Sequence, residues 1–204
     1  SYIYGKYIFM KDIEKYNDAE LSAMLNSDNK SLSRQAFEEI YNRYSKLVYT
    51  YCVRILRDEE NAKDAFQDTF VKFLNVISKK GIIDNIKAYL MKIAHNVCID
   101  RINEIKKSPG PLEQSIGRYY QQKYERKEER DIIDSALDKL PFNLKETLML
   151  KESLNYSYEE IAEIMGISRT MVASNIYRAK EKLREMLAPY FKEYLKKEKE
   201  RKNG

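Results

Sequence analysis

Apolar positions recur at steps of three and four almost from one end of the chain to the other, the period of helices that each bury one face. Leu21, Met24 and Leu25 share one side of a short stretch over 18–25, and Asp18 stands where its N-cap is expected. Ser33 is the predicted cap of a longer helix, whose stripe is Phe37, Ile40, Tyr41, Tyr44, Leu47, Val48, Tyr51 and Ile55. Asp58 opens the next, with Ala62, Ala65, Phe66, Phe70, Phe73 and Leu74 on its buried side, and Ser78-Lys79-Lys80-Gly81 breaks it. A long helix is then predicted from Ile86 to Lys106. Ile86, Leu90, Ile93, Ala94 and Val97 face inward on it, and Lys92, His95, Asn96, Ile99 and Asn103 outward.

Pro109-Gly110-Pro111 is the strongest interruption, because proline lacks an N–H and disfavours helix before it. The polar stretch that follows, including Arg118-Tyr119-Tyr120-Gln121-Gln122, reads as a partly helical linker over 108–130. Beyond it Ile132, Ile133, Ala136, Leu137 and Leu140 form one stripe, ended by Pro141, and Leu144, Leu148, Met149 and Leu150 a second. Two more helices are predicted, over 158–165 and from 169 to about 188. The fold class is therefore all-α: two helical domains joined by a flexible linker. The divisions are an extension over 1–17, a first domain over 18–107, a second over 131–191, and a charged tail over 192–204 that is expected to fray.

The second domain carries the sharpest local signal. Ser157 and Glu160 stand at the two ends of a capping box, opening the short helix to Met165. Gly166 supplies the positive φ of a tight corner, Ile167 plugs it, and Ser168 caps the longer helix from Arg169. Short helix, glycine turn and longer helix make a helix-turn-helix, whose second helix can enter a major groove. On that helix Val172, Ile176, Ala179 and Leu183 face the core. Thr170, Ser174, Tyr177, Arg178 and Glu181 face away, flanked by Arg169, Ala173, Lys180 and Arg184. Hydroxyls can bond bases or phosphates, small side chains permit close approach, and cations neutralise phosphate. By charge alone such a face is more often simply a solvated one. The two caps and the glycine turn favour the groove.

Composition narrows the classes further. The 204 residues carry 37 Lys and Arg against 32 acids, a net charge of +5, and residues 169–184 alone contribute much of that excess. With 6 Gly and 4 Pro, a turn-rich β fold is excluded. One histidine, His95, and two cysteines, Cys52 and Cys98, cannot build a Cys/His zinc cluster or a disulfide framework, and they suit a reducing cytosol. No nucleophile, metal-ligand or phosphate-loop motif is present, so neither an enzyme nor a cofactor is expected. No apolar run is long enough to cross a bilayer, and the first residues lack a signal-peptide pattern. Residues 1–9, ahead of Met10, are read as an expression remnant or an extension.

Phe37-Glu38-Glu39-Ile40-Tyr41-Asn42-Arg43-Tyr44, then Asp64-Ala65-Phe66-Gln67-Asp68-Thr69-Phe70-Val71-Lys72, then Ala88 through Asp100 closely resemble the second conserved region of bacterial sigma factors. Leu140-Pro141, Tyr158-Glu159-Glu160-Ile161-Ala162 and Tyr177-Arg178-Ala179-Lys180 resemble their fourth region. Two regions in this order with only a linker between resemble the extracytoplasmic-function (ECF) group of the bacterial primary sigma-factor family. The resemblance spans about residues 18–191.

The resemblance implies a bacterial, cytoplasmic transcription initiation factor that binds core RNA polymerase, at its beta-prime clamp helices and beta flap, and directs it to promoter DNA, duplex and melted. An anti-sigma factor is a further implied partner. Asp64, Gln67, Asp68 and Phe70 match the clamp-binding motif, on a helix whose segment 57–72 is net acidic and suits a basic clamp. For the minus-ten element the implied residues are Lys79, Lys80 and Asn85 in a base-capturing loop, and Tyr89, Lys92, His95 and Asn96 on the long helix. Many relatives have Trp where Tyr89 stands, so Tyr89 is a stacking residue or a core aromatic. His95 is a surface polar contact rather than a catalyst. For the minus-thirty-five element they are Ala173, Ser174 and Tyr177, with Arg169, Thr170, Arg178 and Lys180 toward phosphates. Ala173 stands where relatives often carry Arg, which removes a guanine contact worth ~1–3 kcal/mol of discrimination. Two other readings stand beside this one: a free-standing helix-turn-helix regulator, and a sigma-like interaction protein without DNA function.

Overall fold

Helix caps show most directly where local pattern meets tertiary competition. The structure is a computed structural model that describes residues 13–107 and 128–202, without the side chains of 80, 106, 128–131 and 192–202. The first twelve residues of the expected extension and most of the expected linker, 108–127, lie outside the described residues. The chain divides into two units, within 1–122 and 123–204. Every regular element among the described residues is helical.

In the first unit a 3-10 turn, Ile13–Lys15, precedes α1 (Asp18–Leu25), α2 (Lys30–Leu56), α3 (Glu59–Lys80) and α4 (Ile86–Lys107). The cap of α1 is Asn17, one residue before the expected Asp18. Asn17 accepts from the Glu20 N–H, and Glu20 accepts from the Asn17 N–H, a complete capping box. Asp18 is committed elsewhere, to the Tyr44 hydroxyl and to the first N–H of α4. Nor does Ser33 cap α2: Asn29 does, accepting from Ser31 and Leu32, while the Ser33 hydroxyl donates to the Leu25 carbonyl at 2.7 Å and closes the corner between α1 and α2. Asp58 caps α3 as expected, through the Asn61 N–H at 2.8 Å. That helix ends at Gly81, whose φ of 82° is a left-handed value that side-chain-bearing residues rarely adopt.

Leu21, Ile40, Tyr51, Phe73, Ile86, Leu90 and Met91 fill the core between these helices. Phe66 is half-buried and Leu74 exposed, against the expected stripe. Phe70, Phe73 and Ile77 make the buried line of α3, and Leu74 lies one position round from it. Ile93 is half-buried on α4, as is the outward-expected Ile99, while Met91 and Cys98 are fully buried, so the apolar face of that helix is broader than its sequence suggests and rotated toward Met91 and Cys98.

The second unit holds α5 (Glu128–Asp138), α6 (Phe142–Glu152), α7 (Tyr158–Met165) and α8 (Arg169–Lys202). Helix α5 starts three residues ahead of the expected boundary at 131, within the stretch expected as linker. It buries Ala136, while Ile133 of the expected stripe is 49% exposed. Pro141 separates α5 from α6, and Lys145 spans the corner to Asp138 at 2.7 Å. The capping box of Ser157 and Glu160, the left-handed Gly166 at φ 66° and the Ser168 cap on the Met171 N–H all stand where the pattern placed them. Helix α8 departs at its far end: it runs through Pro189 to Lys202, where an end near 188 and a frayed tail were expected. Asn175 also departs from its type. It is 2% exposed, and its amide donates to the Thr147 hydroxyl at 3.3 Å, which in turn donates to the Asn143 carbonyl at 2.6 Å. A buried amide needs such a partner.

Candidate nucleic-acid interface

Burial of Val172, Ile176 and Ala179 against α6 and α7 fixes the rotation of α8. That rotation turns Arg169, Thr170, Ala173, Ser174, Tyr177, Arg178 and Lys180 outward, all exposed, with Tyr177 67% so. The helix-wheel reading holds for this whole set. Met171, 49% exposed, lies among them and went unnoticed, since methionine reads as core by type.

Two of the cations are already paired. Arg169 donates to the Glu159 carboxylate and sits 6.0 Å from the Tyr158 ring centre. Lys180 meets Glu152 at 2.7 Å. The Glu152 carboxylate raises the Lys180 ammonium above the usual lysine range. Glu159 is held below the usual carboxylate range, first by its own backbone N–H and then by Arg169. All four side chains are more than half exposed, so these pairs are screened and readily exchanged. Arg178 enters none of the ion pairs among the described residues. The surface therefore offers a phenol, two hydroxyls, one uncommitted cation and two exchangeable ones.

In the first unit, α4 exposes Lys92 and Asn96. His95 is half-buried, its Nδ1 3.5 Å from the Tyr51 hydroxyl, so it is less of a surface contact than expected. A hollow of about 360 Å³ between α3 and α4 is lined by Lys72, Asn75, Val76, Tyr89, Ile93 and Asn96. It unites Tyr89 with Asn96 and adds Lys72 and Asn75, whose three-residue spacing on α3 was the available signal. The expected base-capturing loop is shorter than its sequence suggests, since α3 runs on through Lys79 and Lys80, and neither Lys79 nor Asn85 lines the hollow. Lys79 is exposed, and the side chain of Lys80 is outside the described residues. Asn85 spends its amide oxygen on the Ala88 N–H at 2.9 Å, as a helix cap.

Asp64, Gln67 and Asp68 are exposed on α3, but the acids are not bare: Arg101 of α4 lies 3.2 Å from Asp68 and 3.7 Å from Asp64. Phe70 does not share this surface. It is 5% exposed and packs against Phe37, Tyr41 and Phe66, with ring centres 6.2, 5.1 and 5.2 Å away. Aromatic edges prefer the negative faces of other rings, so this cluster adds orientation to burial. Tyr41, at 40% exposure, is its most open member, and Phe37 and Phe66 are half-buried. Among the described residues no group of His, Cys, Asp and Glu is placed to hold a metal ion, and no helix is long and apolar enough to cross a membrane.

Comparison with known proteins adds to this geometry. Sigma-70 region 2 matches residues 40–107 and Sigma-70, region 4 matches residues 130–183, one on each unit. RNA polymerase sigma factor YlaC of Bacillus subtilis (strain 168) is 32% identical over 160 residues, covering 74% of this chain and 92% of that protein. The ECF RNA polymerase sigma factor SigM of the same organism is 27% identical over 154 residues, covering 73% and 93%. The fold is shared with CnrH, solved in complex with the cytosolic domain of CnrY, at a TM-score of 0.61 and 23% identity over 84% of this chain and 97% of that one. It is shared also with the sigma factor RpoE, solved with the anti-sigma factor NepR from Bartonella quintana, at a TM-score of 0.57 and 20% identity over 74% and 96%.

Proposed function

The chain belongs to the sigma-70 family, as an RNA polymerase sigma factor of the extracytoplasmic-function group, and from that premise we propose how its two units divide the work. Sigma-70 is a wider heading than the primary sigma factors, and it is the heading these matches carry. Such a protein is a transcription initiation factor: it binds core RNA polymerase and directs it to promoters. It performs no covalent step itself and works in the cytoplasm.

In the second unit, α8 reads the minus-thirty-five element. Ser174 and Tyr177 meet base edges beside the small Ala173, and Thr170, Arg169, Arg178 and Lys180 meet phosphates. In the first unit, Tyr89, Lys92 and Asn96 face the minus-ten element, with the hollow shared by Tyr89 and Asn96 as the place for an unstacked base. Lys79 and Lys80, at the end of α3, meet phosphates of the strand. His95 and Asn85 act from behind, through the Tyr51 contact and the α4 cap. Asp64, Gln67 and Asp68 meet the basic clamp of core polymerase, and Phe70 serves that face by holding Tyr41 from beneath. The second unit meets the beta flap. An anti-sigma factor is a further partner, a reading supported by the complex of RpoE with the anti-sigma factor NepR.

The observation that carries this reading is the exposed face of α8, hydroxyl-lined and basic, on a unit separate from the acidic face of α3. Rigid attachment to one enzyme turns two modest DNA contacts into a bivalent one. The test is transcription of a randomised-promoter library by core polymerase with and without this chain. Promoter-dependent transcripts that require the chain are expected, and no stimulation over core enzyme alone overturns the proposal.

A further inference from the structure

The start of α4 is capped from two places. Asn85 takes the Ala88 N–H, and Asp18, sixty-eight residues before Ile86 in the chain, takes the Ile86 N–H at 2.8 Å and the Lys87 N–H at 3.4 Å through one carboxylate oxygen. Free N–H groups and the helix dipole both favour a carboxylate there. The other oxygen of Asp18 accepts from the Tyr44 hydroxyl at 2.6 Å. Asp18 therefore ties α1, α2 and α4 together.

Two further bonds run from the same short helix and its end to the same segment. The Ser22 hydroxyl, fully buried, accepts from the Ile83 N–H at 2.8 Å. The Asn26 amide donates to the Gly81 carbonyl at 3.1 Å. The brace is itself anchored: the Asn17–Glu20 capping box fixes the first turn of α1, and Arg43 donates to the carbonyls of Tyr16 and Glu14, each at 2.8 Å. Residues 17–26 thus hold the segment 81–87 at three separate points, although they lie before the stretch that matches Sigma-70 region 2, residues 40–107.

Resting on the reading above, which assigns the downstream promoter element to this loop and to α4, we infer that Asp18 is a positioning residue for minus-ten recognition. It sets where α4 begins, and with that the place of Tyr89, Lys92 and Asn96 relative to the loop before them. Ser22 and Asn26 are its auxiliaries. None of the three needs to touch DNA.

The test uses full-length chain with core polymerase on a DNA library randomised separately in the minus-ten and minus-thirty-five elements, with transcripts sequenced. Asp18→Ala is expected to flatten base preference in the downstream element by about fivefold (~1 kcal/mol), the size of a lost cap, while preference in the upstream element and binding to core polymerase stay as in the wild type. Asp18→Asn keeps an oxygen for the Ile86 N–H and restores most of the preference. Should Asp18→Ala lose its helical circular dichroism, Ser22→Ala removes a single acceptor from the same brace and is expected to shift the same element by a smaller factor. Unchanged downstream preference in a folded variant, or equal loss in both elements, overturns the positioning role. Failure of the wild-type chain to give promoter-dependent transcripts is a different result, and it overturns the functional reading beneath.

Discussion

Tyr44 hands its phenolic proton toward a carboxylate, so the fold favours its neutral form. Burial first, and then Asp18, push its pKa above the ordinary 10.0. A folded-state value raised in this way contributes stability that is whole below about pH 10 and is lost as pH climbs through the folded value. Denaturation midpoints compared between neutrality and about pH 11 should fall for the wild type and fall less for Tyr44→Phe. Phe70 belongs to the same scale. Its motif position marks it for a partner, yet its ring is interior, so Phe70→Ala should lower stability by ~3–5 kcal/mol in chemical denaturation before any effect on polymerase is read. On α8, Ser174 and Tyr177 changed together to Ala should alter base preference at the upstream element, whereas Lys180→Ala should weaken binding to all duplexes alike. The exposed identities of α8 were legible because burial of three neighbours settles a helix's rotation. The partners of Asp18, Asn85 and Phe70 were not, because each is chosen by competition among groups distant in the chain.

At the scale of elements, the helix-turn-helix was legible down to the caps on either side of its turn. Everything that bounds it is local: a box of two side chains, a glycine and a serine. Gly166 makes the point quantitatively. A Cβ there would meet nothing within 4 Å, so Gly166→Ala costs only the left-handed backbone, ~1–2 kcal/mol, visible as a lower thermal midpoint without loss of cold-state helicity. Helices α1 and α2 were legible in existence and not in their caps, since asparagine, aspartate and serine are near-equal cap formers and tertiary demand decided between them. The α3 face is an element-scale matter too. Asp64→Lys with Asp68→Lys removes the acids and sets two cations beside Arg101. Core-polymerase pull-down should drop sharply while the helical signal stays within experimental error of the wild type.

Taken whole, the chain is two separate units carrying a net charge of +5. The division itself was legible from Pro109-Gly110-Pro111 and the polar stretch after it, though helix resumes earlier and runs on later than the composition indicated. What one sequence could not reveal is how much of its positive charge is spoken for. Glu152 and Glu159 already occupy the places that phosphate oxygens would take on Lys180 and Arg169. If those two cations meet phosphates as proposed, docking on a duplex is an exchange of anions, with the displaced carboxylates returning to water as the backbone moves in. On the proposed reading the swap trims what those two cations gain, so a duplex draws somewhat less from them than their charge alone promises.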